Sequence, residues 1–203
     1  MRTVLVAAAL AIVVGSGPAA ARAPSPHGTY VVRSDPRACP SPLCGGYWVA
    51  LANRARTRCH DGLLRPRCYV AEARGAALPD HALARARLGT ALYPGFGDLG
   101  VLVVEKSWLP TSSGAPAGSF WSVRDTGLRC VRAPCLSFRA TRLNGSYSLR
   151  VSDLDIHPRT QRVELALVSA DGLPAAGRVI RTPEGGRLFR ATQIYLRAPQ
   201  PGA

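Results

Sequence analysis

Two stretches decide how this chain is read: Y-V-V-R-S-D-P-R-A-C-P-S-P-L-C-G-G-Y-W-V-A-L-A-N, from Tyr30 to Asn53, and W-S-V-R-D-T-G-L-R-C-V-R-A-P-C-L-S-F-R-A-T-R-L-N, from Trp121 to Asn144. Arg33 and Arg124, Cys39 and Cys130, Cys44 and Cys135, and Asn53 and Asn144 all superpose at one offset of 91 residues. A constant offset across two cysteines and the strand-like runs beside them predicts a tandem duplication, and such a repeat sets the architecture before any local assignment.

Proline and glycine punctuate short alternating runs along the whole chain, 17 and 20 residues respectively. That rhythm favours sandwiches and small barrels over parallel sheets. The expected fold class is mainly β: a tandem duplication of a small β-sandwich or barrel-like unit with one short helix, clamped by disulfides. Unit 1 is expected over residues 29–110, a Gly-rich linker (T-S-S-G-A-P-A-G-S) over 111–119, unit 2 over 120–197 and a loose tail over 198–203. Each unit should close with a hairpin, Gly89–Tyr93 with Val101–Trp108 and Arg178–Thr182 with Arg187–Leu196. The helix is placed at Asp80–Leu88, after Pro79-Asp80 and before Gly89, with a shorter counterpart after Leu173-Pro174. Units of this size bury little core, so they should lean on each other or on their disulfides.

Arg2, the apolar run Val4–Val14 and the small residues Ala19-Ala20-Ala21 have the form of a secretory signal peptide over residues 1–21, cut at Ala21/Arg22. The run is too short for a membrane span, and no transmembrane segment is expected in the mature chain. Export, to a periplasmic or extracellular destination, puts the six cysteines in an oxidising compartment, where an even number reads as a disulfide framework. Unit 2 holds only Cys130 and Cys135, so these pair with each other. By equivalence Cys39 pairs with Cys44, and by elimination Cys59 pairs with Cys68. Loops this short are stabilised by only about 2 kcal/mol each, so the bonds act chiefly as stiffeners. A zinc reading of C-x4-C and Cys59-His60 lacks the spacing of a zinc ribbon.

The formal charge of +14 becomes +13 once Arg2 is removed, and Lys106 is the single lysine. Outside the membrane, such a basic surface suits acidic envelope polymers or anionic surfaces. Nucleic acid is not an expected partner, since only 6% of residues are aromatic and no aromatic-basic stripe offers a stacking platform.

The strings R-A-C-P-S-P-L-C-G-G-Y-W-V, T-R-C-H-D-G, C-Y-V-A-E and G-V-L-V-V-E-K-S-W, in that order between Tyr30 and Trp108, resemble a family of exported bacterial proteins with a repeated Cys-loop domain of unknown function. Unit 2 resembles it in part, lacking Gly-Gly after Cys135 and any counterpart of Cys59 and Cys68. The resemblance implies secretion and the repeated domain, and transfers no activity.

No nucleophile elbow, H-E-x-x-H helix, P-loop or dinucleotide fingerprint occurs, so no catalytic residue, metal site or cofactor is assigned. His60-Asp61 reads as an Asx-Gly turn in a clamped loop. Asp153 and Asp155 share one face of a strand, where paired carboxylates could hold calcium or act on a glycosidic bond, though the wet face of a half-buried strand accounts for them. Glu72 and Glu164 fall at nearly equivalent places in strand runs. The candidate binding residues are Arg33 and Arg124, six residues before each cysteine loop, and Arg132 within the second loop. The first-ranked reading is therefore a secreted, non-catalytic binding or structural module of the cell envelope or extracellular space. The alternatives are a secreted peptidase inhibitor presenting its disulfide-closed loops, with Arg132 entering a trypsin-like pocket, and an uncharacterised hydrolase.

Overall fold

The computed structural model describes residues 27–76 and 78–198. The expected signal peptide, the segment 22–26 after it, and the tail beyond Ala198 lie outside the described residues.

The chain is mainly β, as its punctuation implies. The first half forms β1 (Gly28–Ser34), β2 (Tyr47–Leu51), a two-residue pair β3 (Thr57–Arg58) and β4 (Leu64–Arg65), β5 (Cys68–Val70), β6 (Glu72–Arg74), β7 (Leu83–Tyr93) and β8 (Gly97–Pro110). The second forms β9 (Ser119–Asp125), β10 (Phe138–Arg142), β11 (Ser148–Val151), β12 (Asp153–Asp155), α1 (Gln161–Val168), β13 (Leu173–Arg181) and β14 (Arg187–Arg197).

β5 and β6 are one strand bent at Ala71, and the bend closes the first unit. Its first limb pairs with β2 and its second runs parallel to β8, with Ala71 N–H donating to Gly100 O at 2.8 Å between them. Since β8 pairs with β7, β7 with β1 and β1 with β2, the strands form a small barrel. In the second unit β11 and β12 bend at Ser152, whose N–H donates to Arg187 O at 2.8 Å, and bridge β10 to β14. Counting each bent strand once, both barrels close in the order 1-2-3-5-4-1 with the third and fifth strands parallel, the strand order of the OB-fold. The alternation follows: Tyr30 and Val32 of β1 and Trp121 and Val123 of β9 point inward, and Arg33 and Arg124 point out. Each barrel fills its own core, the first around Val32, Val49, Val70 and Leu102, the second around Val123, Val151, Leu173 and Phe189.

The two barrels join through β8 and β14, which pair antiparallel at Trp108↔Arg197, Leu109↔Leu196 and Pro110↔Tyr195. A third, small cluster seals the seam, with Leu83, Trp108, Ala176 and Tyr195 all buried. Asn53 and Asn144 lock it from the side. Asn53 donates from Nδ2 to Phe120 O (2.7 Å) and Leu143 O (3.0 Å), and accepts from Phe120 N–H (2.8 Å). Asn144 returns the same bonds to the first barrel, donating to Thr29 O (2.7 Å) and Ala52 O (2.9 Å) and accepting from Thr29 N–H (2.8 Å). Both sit at positive φ, 60° and 58°, the left-handed region that Asn tolerates better than other side-chain-bearing residues.

The structure corrects the helix placement. Asp80–Leu88 is not a helix: from Leu83 the chain is β7, with Ala84, Ala86 and Leu88 buried and Arg85 and Arg87 exposed, a period of two. Leu173-Pro174 likewise opens β13 rather than a helix. Among the described residues the single helix is α1, capped by Thr160 and burying Val163 and Leu167 against the second core. In the first barrel its place after the bent strand is taken by a loop whose Leu78 and Ala82 are buried. Glu164 therefore lies on a helix, and the register partner of Glu72 is Asp153, since both stand first in the limb parallel to the fifth strand.

Candidate functional site

The three disulfides are Cys39–Cys44, Cys59–Cys68 and Cys130–Cys135. Cys59 and Cys68 are buried in the first core, where they tie the β3–β4 turn to β5. The other two close six-residue loops between the first and second strands of each barrel. Along the strand that leads into each loop lies a groove on the outward face.

In the first barrel the groove encloses about 590 Å³ and is lined by Arg33, Asp35, Arg37, Trp48, Arg67 and Asp80. Asp35, whose side chain is shut off from solvent, takes Arg37 in a forked pair, with Nε and Nη2 each 2.9 Å from a carboxylate oxygen, and accepts Trp48 Nε1 at 3.3 Å. The Arg37 hydrogen bonds hold the Asp35 carboxyl below the ordinary carboxylate range. Arg37 also donates to Leu43 O inside the cysteine loop at 3.0 Å and lies 5.2 Å from the ring centres of both Trp48 and Tyr69. Tyr69 anchors the loop again, donating to Pro42 O at 2.8 Å. Arg67 lies 5.0 Å from the Trp48 ring centre. Gly46 sits where a Cβ would come within 2.1 Å of Val70 O, so the second glycine of G-G-Y-W is demanded by β5 crossing over the loop. Ser137 takes the matching place in the second barrel, its carbonyl accepting Thr126 N–H as Gly46 O accepts Asp35 N–H.

In the second barrel the groove encloses about 550 Å³ and is lined by Ser122, Arg124, Asp125, Thr126, Arg139 and Thr141. Asp125 is taken by Arg129 (2.9 and 3.1 Å) and by Gly127 N–H (2.7 Å), and the Arg129 bonds in particular hold its carboxyl low. Trp48 and Tyr69 are replaced at the corresponding register positions by Arg139 and Arg150.

The structure thus brings Arg33 and Arg124 to equivalent places, one in each groove. Neither holds its loop's carbonyls: in the first barrel that work falls to Arg37, which sequence spacing did not single out. Arg132 stands apart in the exposed second loop, beside fully exposed Val131. His60 and Asp61 form the turn expected of them, Asp61 accepting Leu63 N–H at 3.0 Å and pairing with Arg65. Asp155 pairs with Arg190 at 2.7 Å and Asp153 caps Leu154 N–H. Among the described residues no group of three or more His, Cys, Asp or Glu side chains could hold a metal ion, and no helix is long and apolar enough to cross a membrane.

With this geometry in place, comparison with known proteins settles kinship and nothing more. The model of one family, described as a domain of unknown function, DUF6748, matches residues 28–201. The chain belongs to the DUF6748 family. The match runs across both barrels, whereas the motifs that carry the sequence resemblance cover chiefly the first. No curated protein and no solved structure matches the chain.

Proposed function

We propose that this DUF6748 protein is a secreted, non-catalytic binding module, built from two copies of one barrel, that holds acidic polymers of the cell envelope or extracellular space against its two arginine-lined grooves. One observation carries the reading. In the first groove Asp35 is occupied by Arg37, and Asp80 accepts Ser34 N–H and lies 3.2 Å from His81 Nε2; in the second Asp125 is occupied by Arg129, while Arg33 and Arg124 make no ion pair among the described residues. Uncommitted guanidinium groups beside a disulfide-stiffened loop favour carboxylate or phosphate, whose geometry they match in a fork. The strand order supports the same surface, because OB-type barrels take oligomeric ligands on the outward face of the second and third strands and the adjoining loops; this is an analogy of fold. Three disulfides agree with an oxidising destination.

The test is co-sedimentation of the mature, oxidised protein with isolated envelopes. Retention should be strong at low salt, weaken as salt screens the exposed arginines, and drop in an Arg33→Gln/Arg124→Gln variant. Absence of pelleting at low salt would sink the proposal and favour the inhibitor reading, which rests on Arg132 in an exposed, disulfide-closed loop and predicts that Arg132→Ala abolishes inhibition of a trypsin-like peptidase.

A further inference from the structure

The outward face of the second barrel carries a row of like charges that the fold itself does not need. Arg124, Arg139 and Arg150 stand directly opposite one another on β9, β10 and β11, and all three are exposed. Directly opposed like charges on neighbouring strands destabilise a sheet, and protein surfaces usually relieve them with carboxylates. Here none of the three forms an ion pair among the described residues. Asp125, the nearest acid of the groove, is engaged by Arg129 and Gly127. Two residues along the same face runs a second row, Ser122, Thr141 and Ser148, again in direct register; the Ser122 hydroxyl donates to Asp171 O at 2.7 Å, so it faces a ligand as an acceptor. With strands about 4.8 Å apart, the face presents three guanidinium groups over roughly 10 Å and a parallel line of hydroxyls.

The first barrel answers differently. At the positions of Arg139 and Arg150 it has Trp48 and Tyr69, but Arg37 and Arg67 lie over the Trp48 ring, so the aromatic pair serves to hold guanidinium groups and is a poor platform for bases. Bases without an open ring to stack on lose the main sequence-independent gain of single-stranded nucleic acid binding. A partner rich in both anionic groups and hydroxyls fits the paired rows better.

We infer that the Arg124–Arg139–Arg150 row, with Ser122, Thr141 and Ser148 beside it, is the principal ligand face, and that it takes an acidic polysaccharide whose carboxylates meet the arginines and whose hydroxyls meet the Ser/Thr line. This rests on the proposed function and narrows it to one face and one polymer class.

The test measures binding of the mature, oxidised protein to a soluble polyuronate, to the same polymer fully methyl-esterified, to inorganic polyphosphate and to single-stranded DNA, with salt titrations. Polyuronate should bind and its ester should not. Arg139→Gln should weaken polyuronate binding about tenfold, a loss of about 1.4 kcal/mol, and lower the slope of log affinity against log salt by about one. The triple variant Arg124→Gln/Arg139→Gln/Arg150→Gln should abolish binding, while Arg178→Gln/Arg181→Gln, exposed on β13 and outside both grooves, leaves most of it. Because Arg139→Gln relieves two cross-strand repulsions, its melting temperature should stay level or rise by about 1–3 °C; a fall of several degrees would make the row structural and overturn the inference. Polyuronate binding that survives the triple variant overturns the face and leaves the acidic-polymer reading standing. Tighter binding of polyphosphate or DNA overturns the polymer class. Binding to none of the polymers overturns the inference, and if envelopes still pellet the protein, the broader proposal outlives it.

Discussion

Replacing Asn53 by alanine should be among the most damaging single changes outside the two cores, and its cost can be built up from the seam. The substitution removes three hydrogen bonds at 2.7, 2.8 and 3.0 Å to the backbone of the other barrel. At about 1 kcal/mol net for each bond, the side chain contributes about 3 kcal/mol. The backbone at φ 60° adds about 1 kcal/mol more for an alanine, which lacks the short polar side chain that makes this region tolerable. The sum is about 4 kcal/mol, at the edge of what single substitutions usually cost, and for a chain of this length it should lower the melting temperature by about 10 °C. Asn53→Gly separates the two parts: glycine is at ease with positive φ, so it should lose the hydrogen bonds alone and fall about 1 kcal/mol short of alanine. Asn144→Ala, which breaks the reciprocal set made beside it across the same junction, should match Asn53→Ala to within about 1 kcal/mol. The assay is equilibrium urea unfolding followed by tryptophan fluorescence, with the slope compared across variants. A loss under about 1 kcal/mol for Asn53→Ala, or equal losses for Ala and Gly, would refute the assignment of Asn53 as the lock between the barrels.

Two further outcomes follow from buried polar groups. Tyr195 is fully buried and its hydroxyl has no hydrogen-bond partner among the described residues, so Tyr195→Phe, which removes an uncompensated buried hydroxyl, should stabilise the protein by about 1 kcal/mol, read as a rise of about 2–4 °C in the melting temperature; destabilisation would show that the hydroxyl is satisfied in solution. Asp35 and Asp125 both have carboxyl groups held low by their arginines. A lowered native pKa contributes stability that is fully present above the ordinary carboxylate value of about 4 and is lost as pH falls from there through the lowered native value; melting curves of Asp35→Asn/Asp125→Asn should therefore lie below wild type at neutral pH and converge with it on acidification, and a gap that stays constant with pH would exclude the linkage.

Much of this architecture could be read from residue order. The offset of 91 placed the cysteine loops and strands flanking them, and the hairpin turns at P-G-F-G and P-E-G-G fell where glycine and proline cluster. The helix misplacement has a specific cause. H-A-L-A-R-A-R-L alternates alanine with arginine, and alanine carries a high helix propensity, yet here it is chosen because a narrow barrel interior accepts little more than a methyl at Ala84 and Ala86. The true helix was hidden by its brevity, eight residues with valine at two of them. Closure of the barrels depends on bends at Ala71 and Ser152, neither a glycine nor a proline, so no turn signal marked them. Arg139 and Arg150 were passed over for a different reason. They stand on different strands at an interval with no local meaning, and only the register between β10 and β11 makes them neighbours of Arg124.

The pairing of β8 with β14 has a consequence for assembly. Each barrel offers the same strand end to the other, and the register maps onto itself when the two are exchanged: Trp108↔Arg197 becomes Tyr195↔Pro110, with Leu109↔Leu196 at the centre. Such an isologous contact uses up the surface that makes it. A head-to-tail repeat leaves a free end and can lengthen one module at a time, as solenoids do; here, among the described residues, each barrel spends its copy of the joining edge on the other.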